Sequence, residues 1–338
     1  MPTRQSAIRV VEAAESGAGL QGEEFRHEQQ RLVGASSEVA DALAYLVEHE
    51  PDSALRLCAV LSGFWQDAGR VDEGRRLTAA TIDAASASPT VALARSLLVL
   101  AELSFRQGDQ DDVIAACGRA IEVAQAIGDD GAVALAHVNL ARVAFRSGDA
   151  AQIEAHAMEA LRVAPDDIPG RRGALHMLGW AAYTAGDLSL ARSRFAESLA
   201  YRRELGDPYS IAVEVANIGD LSIEAGDLDD GARALGEALR MGADLDSAYL
   251  VLNLLPSIAA IAGHLGRDAD AARLMGAADA ISRSSGLLPD PGAWQPILDE
   301  VEARLSESFE RLRKDGAART QAESVGLALE IADLAARP

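Results

Sequence analysis

The first string whose spacing could do chemistry is Gly17-Ala-Gly-Leu-Gln-Gly22, which satisfies the GxGxxG pattern. In that pattern the glycines let a backbone turn approach the phosphates of a dinucleotide at the start of a helix. The chemistry also requires a buried strand that leads directly into the first glycine. Here Glu12-Ala-Ala-Glu-Ser16 intervenes and no second strand follows. The string is therefore interpreted as a flexible linker, and no cofactor is predicted.

A second string, His27-Glu28-Gln29-Gln30, begins like the HExxH motif of zinc enzymes. Arg31 stands where the second histidine is required, and a single imidazole cannot hold a catalytic zinc ion. The remaining histidines are scattered over separate units of the chain, at His49, His137, His156, His176 and His264. No metal site is therefore predicted.

Nucleophilic and acid–base chemistry has no better candidates. No Ser/His/Asp or Cys/His grouping occurs at informative spacing, although such groups can also assemble from distant residues. Paired carboxylates begin predicted helices at Asp111-Asp112, Asp129-Asp130 and Asp229-Asp230. Capping of the helix N-terminus explains these pairs. The sequence predicts a protein that is not an enzyme.

A tandem repeat predicts the elements that position the remaining side chains. Gly-Asp or Gly-Arg dipeptides begin at Gly69, Gly108, Gly148, Gly186, Gly226 and Gly266, in steps of 38 to 40 residues. Each dipeptide follows a mostly apolar run and precedes an Ala-rich amphipathic run. A unit this short cannot bury its own apolar face, so neighbouring units must stack into a solenoid.

The unit from Ile211 to Gly242 illustrates the expected local structure. Apolar residues at helical spacing precede Gly226, which ends the first helix in a left-handed conformation. Asp227 then caps the second helix, and small residues such as Gly219 and Gly231 recur where the two helices approach closely. This is the tetratricopeptide (TPR) pattern. It predicts an all-α, TPR-like superhelical solenoid of about six helical hairpins, with capping helices at both ends.

The repeat also divides the chain into regions. These are a flexible N-terminal segment (1–22), an N-terminal capping region (23–50), the six repeats (51–286) and C-terminal capping helices (287–338). The N-terminal capping region contains a predicted helix from Glu38 to His49. A Pro/Gly-rich break after Gly286 precedes two predicted charged helices, Trp294 to Lys314 and Thr320 to Ala336.

In stacked hairpins the first helices line a concave groove, and counting back from each turn glycine gives the side chains that point into it. Arg106, Arg142 and Arg146 concentrate positive charge there, and Trp180 and Tyr183 follow with flat amphipathic rings. Arginines bind carboxylates and phosphates through paired hydrogen bonds, and Arg, Trp and Tyr are frequent binding anchors. From the side chains that point into the groove, those predicted to bind a partner are Arg106, Asn139, Arg142, Arg146, His176, Trp180, Tyr183, Asn217 and Asp220.

Two of these residues, Asn139 and Asn217, recur at one register of the repeat. They resemble the asparagines with which TPR modules hold the backbone of a guest peptide. The alternative is a structural role for the whole set, since an amphipathic helix always needs a polar face. On that interpretation Arg142 and Arg146 pair with neighbouring acids and Trp180 packs between units.

Charge and composition narrow the partners and the compartment. The chain has 31 Lys and Arg against 52 Asp and Glu, a net charge of −21, and such a surface repels phosphate backbones, so no direct nucleic-acid partner is predicted. The longest apolar stretch, Leu250 to Ala262, is too short to span a bilayer, so no membrane partner is predicted either. Cys58 and Cys117 fall on apolar helix faces and favour a reducing compartment, the cytoplasm.

Four local strings carry a further resemblance. They are Asp41-Ala-Leu-Ala-Tyr-Leu-Val-Glu-His49, Leu55-Arg-Leu-Cys-Ala-Val-Leu-Ser-Gly-Phe-Trp65, Gly69-Arg-Val-Asp-Glu-Gly-Arg-Arg76 and Ala272-Arg-Leu-Met-Gly-Ala-Ala-Asp279. They resemble the C-terminal TPR sensor region of LuxR-type and antibiotic-regulatory-type (MalT-like) bacterial transcriptional regulators. In that family the repeats receive a signal and control an attached ATPase and DNA-binding module. This chain has no GxxxxGK[ST] phosphate loop and no recognisable helix-turn-helix. The resemblance therefore implies an isolated sensor segment or a free-standing relative.

Together these observations predict a regulatory interaction module that captures a protein or peptide segment, or a small anionic effector, in the groove. The resemblance implies an ATPase or a DNA-binding regulator module as the partner, and another copy of the chain (a homo-oligomer) is a further partner. The alternative function is a small-molecule sensor whose ligand stacks on Trp180 and Tyr183.

Overall fold

In a computed structural model of the chain, residues 3–17, 22–61, 63–86, 88–289 and 294–336 are described. Helices are the only regular elements in these ranges, which confirms the all-α prediction. The chain divides into two compact units, unit 1 (Met1–Ala185) and unit 2 (Gly186–Pro338). The division falls at the fourth turn of the repeat, between its two helices.

Unit 1 contains eleven helices in its described residues. They are α1 (Arg4–Gly17), α2 (Gly22–Gly34), α3 (Ser36–His49), α4 (Pro51–Ala59), α5 (Phe64–Asp67), α6 (Val71–Ala84), α7 (Val91–Arg106), α8 (Gln110–Ile127), α9 (Asp130–Arg146), α10 (Ala150–Val163) and α11 (Ile168–Thr184). From α7 onward each long helix packs on the next, and α9 also packs on α7 and α11, the neighbouring first helices. Side chains of these three first helices can therefore meet.

Unit 2 continues the alternation and ends in three further helices. Its helices within the described ranges are α12 (Leu188–Leu205), α13 (Pro208–Glu224), α14 (Leu228–Asp244), α15 (Ala248–His264), α16 (Asp268–Ser285), α17 (Gln295–Leu305), α18 (Ser308–Ala317) and α19 (Gln321–Ala335). The last three pack against α14, α15 and α16. They cover α15, in which every residue from Leu250 to Gly263 except Asn253 is buried.

The turn between α13 and α14 has the predicted local structure. Gly226 has φ +86°, and its N–H donates to the Ile223 carbonyl at 2.9 Å. The N–H of Asp227 donates to the Ser222 carbonyl at 2.8 Å, which completes a Schellman motif. The Asp227 carboxylate then accepts from the N–H of Asp230 at 3.2 Å and caps α14. The prediction for this turn is confirmed.

The other turn glycines share the left-handed backbone, with φ from +63° to +86° across the six repeats. The two Gly-Arg turns differ from the Gly-Asp turns, since neither Arg70 nor Arg267 caps the helix that follows it with its side chain. Arg70 instead pairs with Glu73, and Arg267 pairs with Asp270. These arginines bind an acid in the first turn of the helix, where acids are also favoured by the helix dipole.

Close approach of α13 and α14 explains two of the small residues. A Cβ on Gly231 would lie 2.4 Å from Ile223 Cγ1 and 3.0 Å from the Gly219 carbonyl oxygen. A Cβ on Gly219 would lie 2.9 Å from Leu235 Cγ. All three distances are shorter than a van der Waals contact, so the two helices can touch only where glycine supplies the space.

The N-terminal segment differs from its prediction. Within residues 1–22, expected to be flexible, α1 packs on α3 and α4. Its buried residues Ala7, Val11 and Ala14 lie four and three apart, so they form one apolar stripe. The Arg56 guanidinium on α4 also donates to the Glu15 carboxylate at 2.8 Å. The polar and Gly-rich composition concealed this stripe. The GxGxxG string follows this helix rather than a strand, and its residues 18–21 lie outside the described residues.

The C-terminal flank also differs in one respect. The helix predicted from Trp294 to Lys314 is two helices, α17 and α18, because the backbone reverses at Ser306, whose φ is +50°. The predicted helix from Thr320 to Ala336 corresponds to α19. The Pro/Gly break after Gly286 includes residues 290–293, which lie outside the described residues.

Cys58 and Cys117 are buried and unbonded to each other, as their positions predict. Burial raises the pKa of Cys58 to about 11 and that of Cys117 to about 12, so both thiols stay protonated near neutral pH. Across the described ranges, no helix is both long and apolar enough to cross a bilayer.

Candidate functional site

Seven of the nine predicted groove residues lie on the first helices of unit 1, and contacts connect them with three neighbours. We call this set the α7–α9–α11 face. It comprises Glu102, Phe105, Arg106, Asn139, Arg142, Phe145, Arg146, His176, Trp180 and Tyr183. The other two predicted residues, Asn217 and Asp220, lie on α13 in unit 2.

Glu102 is the electrostatic centre of this face. Its Oε1 atom accepts from Arg106 Nη2 and from Gln66 Nε2, each at 3.1 Å, and lies 3.5 Å from Arg142 Nη1. Burial by itself would raise the pKa of the Glu102 carboxyl, but the guanidiniums of Arg142 and Arg106 and the Gln66 hydrogen bond lower it to about 2. Glu102 is therefore ionised at neutral pH, and it holds two of the predicted binding arginines.

The Phe105 ring makes a second contact with the arginines of this face. The guanidinium carbon of Arg142 lies 4.0 Å from the centre of the Phe105 ring, and that of Arg146 lies 4.2 Å from it. Both distances are within the range of a cation–π interaction. Arg142 also donates from Nη1 to Asn139 Oδ1 at 3.3 Å. These contacts fix the direction of both guanidiniums.

Trp180 is the centre of an aromatic cluster on the same face. Its ring lies 4.4 Å from the Phe145 ring at an interplanar angle of 40°, and 5.4 Å from the Tyr183 ring at 89°. Its Nε1–H donates to His176 Nε2 at 3.0 Å. Because an indole nitrogen can only donate, His176 Nε2 is the acceptor of this hydrogen bond. Trp180 therefore packs against neighbouring aromatic rings, and part of its side chain stays exposed.

The two asparagines at one register have different partners. The Asn139 oxygen accepts from Arg142, whereas Asn217 Nδ2 donates to Glu214 Oε2 at 3.0 Å. Glu214 is fully buried, accepts from Ser198 at 2.6 Å and forms an ion pair with Arg202, whose Nε lies 2.8 Å from Glu214 Oε1. No pattern in the sequence predicted this buried network.

Asp220 lies three residues beyond Asn217 and is half-buried. Burial raises the pKa of its carboxyl to about 7, a nearby Glu224 adds to the rise, and the hydrogen bond with Ser257 opposes it. A carboxyl with this pKa is partly protonated at neutral pH, so Asp220 can donate as well as accept a hydrogen bond.

Two histidines that lie 19 residues apart in sequence face each other in unit 1. His137 on α9 and His156 on α10 lie on the two helices of one hairpin, with their Nδ1 atoms 3.1 Å apart. Burial lowers the pKa of both rings. The expectation that these histidines belong to separate units is wrong. Their positions, 11 residues before Gly148 and 8 residues after it, are nearly symmetric about the turn and could have indicated the contact.

Two other candidate positions, the HExxH-like string and a surface depression, have fewer features of a binding site than the α7–α9–α11 face. In the HExxH-like string, Arg31 Nε donates to Glu28 at 2.8 Å, an ordinary surface ion pair. A shallow depression at the turn between α7 and α8 is lined by polar groups, but its Arg75 already pairs with Asp109 and Asp112. Within the described parts of the chain, no three His, Cys, Asp or Glu side chains come together as metal ligands.

Comparisons with known proteins identify the fold rather than a function. No protein-family model and no curated protein matches the chain. Among solved structures, the chain is similar to a Rap protein complexed with competence and sporulation factor, at 15% identity and a TM-score of 0.57, over 90% of this chain and 94% of that chain. It is also similar to the apo form of RapI (13% identity, TM-score 0.48, 91% and 85%) and to BtubC (BKLC) from P. vanneervenii (20%, 0.47, 64% and 92%).

The similarity to the Rap protein, together with the tandem hairpins, supports the predicted TPR-like solenoid class. The resemblance to LuxR-type regulators stays a hypothesis, since no family model carries it.

Proposed function

We propose that the protein is a non-catalytic binding module whose α7–α9–α11 face takes up an anionic segment of a partner protein. One observation carries the proposal: guanidinium groups and aromatic rings from three successive first helices contact one another on a single face. Arg142 and Arg146 lie against Phe105, and Trp180 lies against Phe145. These residue types are the ones that most often anchor a partner.

The charges of this face favour an anionic partner. It carries the half-buried guanidiniums of Arg142 and Arg146, the buried guanidinium of Arg106 and the single carboxylate of Glu102, on a chain whose net charge is −21. Partner carboxylates would find hydrogen-bond donors there, whereas most of the remaining surface repels them.

The dimensions of the face favour a peptide segment over a small molecule. Packed helices lie about 8–10 Å apart, so three first helices side by side present a width of about 20 Å. An extended chain covers this width with about six residues. The Rap protein to which this chain is similar was solved in complex with competence and sporulation factor, although the partner proposed for this chain rests on its own residues.

The resemblance of the four strings to LuxR-type sensor regions extends the proposal to regulation in the bacterial cytoplasm. On this proposal an occupied face stiffens the repeats, and the change is passed to an ATPase, a DNA-binding module or a second copy of the chain. The alternative, a small molecule stacked on Trp180, would have to compete with the Phe145 and Tyr183 rings already in contact with it.

A displayed peptide library, selected on the folded full chain, tests the binding proposal. Fluorescence anisotropy of the selected peptides would then compare wild type with Arg142→Gln and with Arg119→Gln. Arg119 is exposed on α8, a second helix of the same unit, so its variant matches the change in charge but not the site. Glutamine is preferred to glutamate at position 142 because a second carboxylate would repel Glu102.

We expect peptides enriched in Asp and Glu, and a loss of affinity of about tenfold or more in Arg142→Gln. A charge-assisted hydrogen bond contributes about 1.5–3 kcal/mol, and about 1.4 kcal/mol corresponds to tenfold. Arg119→Gln should change the affinity less than about twofold, as exposed charges contribute little. Equal losses in both variants, or none in Arg142→Gln, would refute the assignment of this face. If an anionic metabolite panel gives a Trp180-dependent ligand and the library gives none, the small-molecule alternative replaces the peptide.

A further inference from the structure

The facing histidines of unit 1 have the geometry of a ligand pair. His137 and His156 reach towards each other from α9 and α10, with ring centres 5.3 Å apart and an interplanar angle of 35°. Both side chains are half-buried. Their Nδ1 atoms lie 3.1 Å apart, so one ring donates its Nδ1–H to the other.

That separation matches two nitrogens bound to one metal ion. With metal–nitrogen distances of about 2.0 Å, two ligands lie about 3.3 Å apart at a tetrahedral angle and about 2.8 Å apart at a right angle. The observed 3.1 Å falls between these values. With the ion about 2.0 Å from each nitrogen, the two metal–nitrogen directions lie about 40° from the line that joins the nitrogens, so each ring has to rotate by roughly that angle to point its lone pair at the ion.

We propose that His137 and His156 form a two-histidine site for one divalent transition-metal ion of the Zn²⁺, Ni²⁺ or Cu²⁺ class, which bridges the α9–α10 hairpin. Imidazole is a good ligand for these ions. On binding, the donor ring moves its hydrogen from Nδ1 to Nε2, so both rings stay neutral and each offers a lone pair from Nδ1.

Water fills the remaining coordination positions. Burial lowers the pKa of His137, and the nearby acid Glu159 on α10 opposes this shift. The Glu159 carboxylate accepts hydrogen bonds of 2.7 and 2.6 Å from Arg162. Two protein ligands and open positions would leave the ion accessible to a further ligand, as catalytic zinc sites do with their one open position.

Isothermal titration calorimetry of the chelator-treated full chain with ZnCl₂ alone tests the proposal. The variants are His137→Ala and His156→Ala, and the control is His264→Ala, whose histidine is exposed at the end of α15. We expect one ion per chain for wild type and for the control. Each α9–α10 variant should bind more than about tenfold more weakly, since loss of even an outer-shell partner costs about 10–100-fold.

A second measurement needs no variant. Zn²⁺ should raise the thermal midpoint of wild type as its concentration rises, because an ion that binds only the folded state stabilises that state. It should also shift the Nδ1 resonances of two histidines in a ¹⁵N NMR spectrum. No saturable binding at one ion per chain, binding retained in the His137→Ala/His156→Ala double variant, or shifts confined to other histidines would overturn the proposal.

Discussion

Substitution of Gly276 by alanine gives a sharp test of how the C-terminal helices pack. Gly276 on α16 and Gly316 on α18 lie where these helices cross. A Cβ on Gly276 would lie 1.9 Å from the Arg313 carbonyl oxygen, and a Cβ on Gly316 would lie 1.9 Å from the Arg273 carbonyl oxygen. Both obstacles are backbone atoms, so no side-chain rotation can relieve the overlap.

The distance gives the size of the effect. A carbon atom and a carbonyl oxygen normally approach to about 3.3 Å, so α16 and α18 would have to separate by about 1.4 Å. A gap of about 0.5–1 Å already removes a quarter to a half of a dispersion contact. Buried Phe309 and Leu312 on α18 are the side chains with most to lose. Overpacking typically costs about 1–3 kcal/mol, and the better helix propensity of alanine returns up to about 1 kcal/mol. Because the obstacles are backbone atoms, we expect overpacking at the upper end of this range and a net loss of about 2 kcal/mol.

Urea denaturation followed by far-UV circular dichroism measures this loss. Gly326→Ala on α19 is the matched control, because its Cβ would have no atom within 4 Å and the position is exposed. There the same chemical change should stabilise the protein by about 0.5–1 kcal/mol. The two substitutions should thus have opposite signs. If Gly276→Ala is as stable as wild type, the close crossing of α16 and α18 is wrong.

Three further outcomes follow from single contacts. Glu102→Gln should lower the free energy of unfolding by about 1–3 kcal/mol in a urea titration, because Arg106 and Arg142 lose a desolvated partner; an unchanged midpoint would contradict the central role of Glu102. The contribution of Asp220 to the stability of wild type should fall by up to about 1.4 kcal/mol per pKa unit of its shift as the pH rises from about 4 to about 7, because the folded state keeps a proton that the unfolded state releases. Asp220→Asn should flatten that part of a thermal-midpoint profile against pH, and an unaltered slope would exclude the raised pKa. Thr320→Ala should lower the free energy of unfolding by about 1 kcal/mol in the urea titration, because it removes a capping box with Glu323; no change would mean that the box contributes nothing.

The repeat could be predicted from the sequence because its determinants are local. A glycine with positive φ followed by a capping aspartate involves only a few consecutive residues, and Gly226 and Asp227 have the predicted conformation and hydrogen bonds. The same is true of Gly219 and Gly231, whose small size is required by the partner helix of their own hairpin.

The structure of the N- and C-terminal flanks was harder to predict, because it depends on helices that are distant in sequence. The apolar stripe of α1 has only three buried alanine and valine side chains and is stabilised by α3 and α4. The break at Ser306 lets α18 cross α16 at Gly276, about 30 residues earlier in the chain. No local signal in the charged sequence between Trp294 and Lys314 marks that break.

The candidate face was predicted as a set of residues but not as a set of contacts. Glu102 and Arg142 are separated by 40 residues, which is one repeat, and so are Phe105 and Phe145. Residues one repeat apart on first helices are lateral neighbours, so this spacing could have predicted that Glu102 meets Arg142. The sequence left open that Arg142 pairs with a neighbouring acid, but this spacing was not used to identify Glu102 as that acid.

The contacts of Glu102 connect the stability of the face with its proposed binding. Each arginine side chain has about 2 kcal/mol of rotamer entropy to lose when it is fixed by a partner. In this face Glu102, Asn139 and Phe105 have already restricted Arg142, so a bound carboxylate would order less. A bound carboxylate also has to share Arg142 with Glu102, whose negative charge lowers the attraction between the partner and the arginine. If the ordering effect is larger, Glu102→Gln weakens the binding of an acidic peptide although it makes the face more positive. If simple charge attraction dominates, the same variant binds more tightly. We expect weaker binding, because buried and directed guanidiniums make stronger hydrogen bonds than mobile ones, and the sign of the change would decide between the two physical accounts.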